Sequence, residues 1–245
     1  LLKFVAELNQ GGEIRFLGRI LRHIGDGIEI SIPADYIVEM LADFGLQNCK
    51  SCTTPGTSGR KTTDGVSELD KGQATMYRRG TGKLMWMTPI RPDIYFATKE
   101  LSRSLQAPTE DDFARLRHEL RYVAGTAHYA LLIRPTTCFT KTTTTIDTSG
   151  KVDSDWAGCQ TTRKSTSGGV CSLLGCPLHS YSRTQGTLST SSGEAELYGL
   201  GSGTGELLSM SQFVQEAKLA PNTTISIETD STSAKAIATR FGSSK

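Results

Sequence analysis

The sequence predicts a mixed α+β or α/β fold: a mixed sheet flanked by helices, preceded by a smaller α+β region. First, the C-terminal part alternates in the order strand, strand, strand, long helix, strand, helix, which is typical of helices packed on a mixed sheet. Second, the N-terminal part combines alternating runs with helical periodicity. Third, 37% hydrophobic and 21% charged residues in 245 are typical of a globular chain with a core of its own.

The first 54 residues predict a hairpin and a helix. Gly12–Gly18 reads as a strand after a Gly-Gly turn, and Ile28–Ile32 alternates strictly, so we expect these two strands to pair as a hairpin. Pro33 then begins a helix for which Gly45 is a fitting end. Its apolar residues at helical spacing are Tyr36, Ile37, Met40, Leu41 and Phe44.

A polar loop and a second helix follow. Thr53–Lys71 is rich in Thr, Ser, Gly and charge, which predicts a mobile loop. Thr109 and Asp112 have the spacing of a capping box. The apolar face of the helix that they begin is predicted to carry Phe113, Leu116, Leu120 and Val123.

We place a domain boundary near Pro135, which divides the chain into residues 1–135 and 136–245. The threonine-rich residues 136–150 are either a linker or the exposed start of the first strand of the second domain. The predicted elements that follow are a strand ending at Asp153, strands near Gly169–Leu174 and Leu178–Ser182, a helix over Glu194–Lys218, a strand over Thr224–Thr229 and a helix from Ser231. Four glycines in the long helix, at 199, 201, 203 and 205, predict a weak or bent helix unless packing compensates.

Acidic residues lie at the ends of three of these elements. Asp153 and Asp155 close the first strand, Glu194 and Glu196 open the long helix, and Asp230 follows the last strand. Carboxylates that meet in space repel one another unless a cation neutralises them, and two divalent ions about 3.5–4 Å apart can hold the attacking and leaving oxygens of a phosphodiester. Oxygen ligands favour Mg²⁺ or Mn²⁺. The layout therefore predicts a two-metal phosphodiesterase site.

Charge and cysteine content bound the other possibilities. The net charge is +2, from 27 basic and 25 acidic residues, so charge alone does not indicate nucleic-acid binding. Six cysteines without a secretory leader predict reduced thiols, and no apolar run reaches the roughly 20 residues of a membrane span. We therefore expect an intracellular protein of the cytoplasm or nucleus, without a membrane partner. The start at Leu1 and the end at Lys245 suggest a chain cut at both ends.

Several ordered motifs resemble a known family. Val152–Gly169 (VDSDWAGCQTTRKSTSGG), Tyr181–Gln185 (YSRTQ), Leu188–Leu197 (LSTSSGEAEL) and Thr229–Ser231 (TDS) resemble the ribonuclease H domain of copia-type LTR retrotransposon Pol polyproteins. The resemblance implies a ribonuclease H-like fold in which Asp153, Glu196 and Asp230 are the catalytic metal ligands, with Asp155 and Glu194 as the competing choices. It also implies a fourth carboxylate downstream of Lys245, so we expect the ligand set of this chain to be incomplete.

The first 135 residues resemble the C-terminal thumb and connection region of the reverse transcriptase of the same family. The matching motifs include Phe16-Leu-Gly18, Arg91–Ile94 (RPDI), Leu101-Ser-Arg103 and Arg121–Thr126 (RYVAGT). The catalytic Tyr-x-Asp-Asp of that polymerase is absent from the sequence. We therefore expect no polymerisation by this chain.

The resemblance implies Mg²⁺- or Mn²⁺-dependent hydrolysis of the RNA strand of RNA–DNA hybrids, with the remainder of the Pol polyprotein as a further partner. The alternative is a catalytically inactive, nucleic-acid-binding remnant of a decayed element. Arg163, Lys164, Ser165 and Arg183 are candidates for contacts with the phosphates of the hybrid, weighed equally against a solvated surface. Ser231 is expected to cap a helix, and Trp156 is expected in the core.

Overall fold

The computed structural model describes residues 7–57, 67–137, 140 and 142–240. The described residues form a mixed α+β structure with two four-stranded sheets and six α-helices. The chain divides into two compact units, Leu1–Ile133 and Arg134–Lys245. None of the described helices has the length and apolar character that crossing a membrane requires.

The sheet of the first unit is an antiparallel meander closed by a distant strand. Its strands are β1 (Glu13–Phe16), β2 (Arg19–Ile24), β3 (Gly27–Ser31) and β4 (Ala130–Ile133), in that order. The predicted direct pairing of β1 with β3 is wrong, because β2 lies between them. Leu17 and Gly18 both have positive φ, of 49° and 76°, as in the two-residue turns that join neighbouring strands, so the chain reverses at once into β2.

Four α-helices pack into one apolar core in the first unit. They are α1 (Ala34–Asp43), α2 (Lys71–Met87), α3 (Tyr95–Ser102) and α4 (Glu110–Gly125), with a 3₁₀ turn at Pro92–Ile94. The helix predicted after Pro33 is confirmed, and Gly45 ends it with a φ of +63° while Leu46 N–H bonds the carbonyl of Leu41. The fully buried side chains of this core include Met40, Tyr77, Leu84, Met87, Ile94, Leu116, Leu120 and Val123.

The predicted capping box of α4 is confirmed. The hydroxyl of Thr109 accepts from Asp112 N–H at 3.3 Å, and an Asp112 carboxylate oxygen accepts from Thr109 N–H at 3.0 Å. The loop predicted over Thr53–Lys71 falls in part on residues 58–66, which lie outside the described residues. Its last residues are tied down, because Leu69 N–H bonds the carbonyl of Pro108 at 3.0 Å and Asp70 caps α2.

The second unit contains a mixed sheet with helices. Its elements are β5 (Thr145–Asp155), β6 (Thr166–Leu173), β7 (Cys176–Thr184), α5 (Ser192–Glu216), β8 (Asn222–Glu228) and α6 (Thr232–Ala238). The strand order is β7-β6-β5-β8; β5 pairs antiparallel with β6 and parallel with β8. All six predicted elements are present, with bounds that differ by a few residues, and Thr145–Gly150 belongs to β5 rather than to a linker.

Helix α5 runs unbroken through its four glycines because two of them face the sheet. A methyl group at Gly199 would lie 2.5 Å from the hydroxyl oxygen of Ser154, and one at Gly203 would lie 2.4 Å from a methyl carbon of Val152. At Gly201 and Gly205 nothing lies within 4 Å of such a methyl group. The close packing of the helix on the sheet therefore offsets the helix-propensity cost of Gly199 and Gly203. Gly201 and Gly205 keep that cost without a compensating contact.

This difference predicts opposite effects of alanine substitutions at two positions of the same helix, Gly201 and Gly203, which lie only about 3 Å apart along its axis. Gly201→Ala should stabilise the unit by about 1 kcal/mol through helix propensity. Gly203→Ala should destabilise it, since an overpacking cost of about 1–3 kcal/mol outweighs that gain against the stiff Val152. Urea denaturation followed by circular dichroism measures both. Equal shifts of the two midpoints in one direction would contradict the packing of α5 on β5.

Candidate metal centre

Three carboxylates from three elements meet at one edge of the second sheet. Asp153 lies on β5, Glu196 in the first turns of α5, and Asp230 between β8 and α6. One oxygen from each lies within 4.8 Å of the other two; Glu196 is buried, whereas Asp153 and Asp230 are exposed. The strands β5 and β8 are parallel neighbours, so their carboxyl ends meet at the same edge. The contact of Gly199 with Ser154 brings the start of α5 to that edge.

The surroundings of Glu196 in this cluster raise the pKa of its carboxyl group. Burial raises the pKa of its carboxyl group, and the negative charges of Asp153 and Asp230 raise it further, against a lowering hydrogen bond from the backbone of Ser154. Its Oε2 atom is buried and has no hydrogen-bond partner among the described residues. A divalent cation would neutralise the repulsion and satisfy this oxygen. Because all three donors are carboxylate oxygens, the residues fit Mg²⁺ or Mn²⁺.

The two competing acids, Asp155 and Glu194, form hydrogen bonds outside the cluster. An oxygen of Asp155 accepts from the backbone N–H of Thr166 across the strand pair, which closes the loop between β5 and β6. An oxygen of Glu194 accepts from both the backbone N–H and the hydroxyl of Thr190, each at 2.7 Å. These hydrogen bonds lower the pKa of Glu194, which lies partly exposed in the first turn of α5. Neither acid belongs to the three-carboxylate cluster.

The four candidate nucleic-acid contacts differ in availability. Arg163 is exposed, with a positive φ of 54°, in the loop that follows β5. Lys164 donates from Nζ to the carbonyl of Gly186 at 2.7 Å. Ser165 is fully buried, and its hydroxyl accepts from Ala157 N–H at 3.0 Å, so it supports the loop from inside. Arg183 forms an ion pair with Glu206 while its side chain stays half exposed.

Two smaller predictions have different outcomes. Ser231 caps α6, because its hydroxyl accepts from Ala234 N–H at 3.2 Å. The prediction that Trp156 lies in the core is wrong: 52% of the residue is exposed, and its ring N–H donates to the carbonyl of Ser189 at 3.1 Å. That bond holds the indole at the surface, one residue after Asp155.

A buried amide next to the cluster, Gln185, is absent from the residues that the sequence nominated. It bonds side-chain or backbone groups of Ser154 and Ala195, the chain neighbours of Asp153 and Glu196. The sequence contains one signal for Gln185, its place at the end of the Tyr181–Gln185 motif. An uncharged polar residue in such a motif is, however, easily taken for a surface residue.

Comparisons with known proteins give a consistent picture. An uncharacterized mitochondrial protein of Arabidopsis thaliana is 34% identical over 182 residues, which cover 74% of this chain and 71% of that protein. The retrovirus-related Pol polyprotein from transposon RE1 of Arabidopsis thaliana is 32% identical over 189 residues, covering 74% of this chain and 12% of the polyprotein. The Pol polyprotein from transposon TNT 1-94 of Nicotiana tabacum is 28% identical over 190 residues, covering 75% of this chain and 14% of that polyprotein.

No family model matches the chain, and no solved structure gives a significant match. The matched region thus spans most of the mitochondrial protein and about an eighth of each Pol polyprotein. The chain belongs to the family that contains this mitochondrial protein and the retrovirus-related Pol polyproteins of copia-type retrotransposons.

Proposed function

We propose that the second unit is a ribonuclease H-type nuclease that hydrolyses the RNA strand of RNA–DNA hybrids with Mg²⁺ or Mn²⁺. The observation that carries the proposal is the convergence of Asp153, Glu196 and Asp230, whose carboxylate oxygens lie within 4.8 Å of one another. The unpartnered, buried Oε2 of Glu196 supports a cation at this point. The motifs that resemble the ribonuclease H domain contain all three acids.

The three acids would have different roles in the site because they differ in exposure. A bound divalent ion polarises the phosphoryl group and lowers the pKa of water, which supplies the nucleophile at neutral pH. The buried Glu196 forms the floor of the site, while the exposed Asp153 and Asp230 can reach a phosphate approaching from solvent. Selection of RNA over DNA would depend on contacts with the 2′-hydroxyl groups in the minor groove of the hybrid.

The hybrid would be held mainly through its phosphates. Arg163 is the most available of the three basic candidates, because it is exposed in the loop that begins directly after β5. Lys164 and Arg183 are tied by a carbonyl and a carboxylate, so their side chains are oriented before a substrate arrives. The remainder of a Pol polyprotein would supply further binding surface for the hybrid, including the polymerase motif that this sequence lacks.

Metal binding and cleavage test the proposal together. The full chain should be stabilised by Mn²⁺ by about 2.7 kcal/mol when the ion concentration is 100 times its Kd, because the ion binds the folded cluster. It should cut a labelled RNA strand paired with DNA, in Mg²⁺ or Mn²⁺, and leave the DNA strand intact. Thermal denaturation and gel electrophoresis measure the two effects.

Glu194→Gln is the matched control, since it removes a carboxylate from the start of α5 without touching the cluster. It should leave both the Mn²⁺ stabilisation and the cleavage near those of the unchanged chain. A folded chain that is not stabilised by either metal and cuts neither strand would contradict the nuclease. Binding of the hybrid by such a chain would instead favour a non-catalytic remnant of a retroelement.

A further inference from the structure

The side chain of Gln185 is buried at the centre of a hydrogen-bond network beside the three acids. Its Nε2 donates to the hydroxyl of Ser167 and to the carbonyl of Ala195, both at 2.9 Å, with the hydroxyl of Ser154 at 3.4 Å. Its Oε1 accepts from the hydroxyl of Ser189 at 2.9 Å. The residue is 8% exposed. Both polar ends of the side chain are therefore hydrogen-bonded inside the protein.

The partners of this amide belong to the elements that carry two of the acids. Ser154 follows Asp153 on β5, and Ala195 precedes Glu196 on α5. Ser167 lies on β6 opposite Ser154, and their hydroxyls are 3.2 Å apart. The amide thus connects the first turn of α5 with the strand pair β5 and β6, one residue away from each carboxylate.

The orientation of the amide is fixed by its surroundings. The Ala195 carbonyl can only accept, so it requires the NH₂ end of the amide, and a flipped amide would lose this bond. The backbone of the same residue adds a constraint, because Gln185 N–H donates to the carbonyl of Ser165 at 2.8 Å. The side chain cannot turn away without leaving several buried polar groups unsatisfied.

We propose that Gln185 is a positioning residue of the metal site: it holds the start of α5 against β5 and thereby sets the separation of the Asp153 and Glu196 carboxylates. This inference rests on the proposed function, because it assumes that those carboxylates bind a divalent ion. Gln185 itself does not belong to the acid cluster and contacts it only through the backbone and side chains of neighbouring residues. Partners that orient metal ligands in this way typically change metal affinity by about 10–100-fold when they are lost.

Gln185→Met tests the inference because it keeps the length of the side chain and removes its hydrogen bonds. The full chain and the variant are titrated with Mn²⁺, and free Mn²⁺ is followed by electron paramagnetic resonance. We expect the Kd for Mn²⁺ to rise by about 10-fold or more in the variant, at a temperature where circular dichroism shows both proteins folded.

Thr148→Val is the matched control for a purely structural role. Thr148 is buried on β5, five residues before Asp153, and donates to the carbonyl of Thr224 at 2.8 Å. Its loss should lower the melting temperature and leave the Kd for Mn²⁺ within about two-fold of the unchanged chain, since it does not touch the acids. A Gln185→Met protein that behaves in the same way would overturn the inference while leaving the metal site intact.

Ser189→Ala provides a second variant in case Gln185→Met does not fold. It removes only the partner of Oε1 and keeps the bonds that Nε2 donates to Ser167 and Ala195, so a weaker rise in the Kd, of about three-fold, is expected. An unchanged Kd in folded Ser189→Ala, if Gln185→Met cannot be studied, would count against the inference. Failure of the unchanged chain to bind Mn²⁺ would overturn the proposed metal site itself, and the positioning role with it.

Discussion

Asp153→Asn should reduce cleavage of the RNA strand by about two to three orders of magnitude, and it should abolish stabilisation by Mn²⁺. Asn keeps the size of the side chain but removes the negative charge that a divalent ion needs. Metal-ion catalysis contributes several kcal/mol, and each 1.36 kcal/mol corresponds to a factor of about ten in rate. The rate of cleavage of a labelled hybrid, measured under single-turnover conditions, gives this factor directly.

The same substitution has a second readout in the metal-free protein. The charge of Asp153 is, after burial, the next cause of the raised pKa of Glu196. Its removal should therefore lower the pKa of Glu196, so that this carboxyl ionises at a lower pH, as an NMR titration of the side chain would record. Asp155→Asn is the control, because Asp155 lies outside the cluster. Equal losses of activity in the two variants would contradict the assignment of Asp153.

Arg91→Met should destabilise the first unit by about 3–5 kcal/mol, because it breaks a buried charge network from one side. Arg91 is 1% exposed; its guanidinium donates to both carboxylate oxygens of Asp93 and to the carbonyl and hydroxyl of Thr126. Burial alone would raise the pKa of Asp93, yet the hydrogen bonds and charge of Arg91, with a bond from Tyr122, hold it below its usual value. The methionine would leave that carboxylate, whose side chain is 29% exposed, unpaired by Arg91.

A surface arginine provides the comparison. Arg22 pairs with Glu13 and Glu29 across β1, β2 and β3, but its side chain is exposed. Arg22→Met should change the midpoint of urea denaturation very little, because exposed ion pairs contribute little to stability. Similar midpoints for Arg91→Met and Arg22→Met would contradict the buried network. The Arg-Pro-Asp-Ile motif of the sequence would then need an explanation outside the stability of this unit.

The elements with strong periodicity were predictable, and those that depend on distant contacts were not. The sequence does not predict strand β2, because Arg19–Ile24 mixes charged and apolar residues without a clean alternation. The sequence does not predict helix α2 either, because Gly80 and Gly82 disfavour a helix locally. At Gly80 a methyl group would lie 2.6 Å from the ring of Phe44, so the glycine lets α2 pack closely on its neighbours. Tertiary packing therefore overrides the local preference.

The acids of the candidate site were predictable as a set, and the choice among them was not. Asp153 and Asp155 lie two residues apart on one face of a strand, so periodicity treats them alike. What separates them is the hydrogen bond from Thr166 to Asp155, which depends on the pairing of β5 with β6. Glu194 differs from Glu196 for a similar reason, since its carboxylate accepts from the backbone N–H and the hydroxyl of Thr190, which precedes the helix. The choice of Asp153 and Glu196 came from the resemblance.

The two sheet-facing glycines of α5 also determine where Glu196 can be. Gly199 lies against Ser154 and Gly203 against Val152, so the helix packs closely on β5 at these two points. A shift of the helix along the strand would bring side chains with Cβ atoms to these points, and the shift is therefore blocked. The carboxylate of Glu196, one turn before Gly199, is therefore held near Asp153 by two glycines that have no side chain. The position of the Glu196 carboxylate thus depends on the absence of side-chain atoms at Gly199 and Gly203.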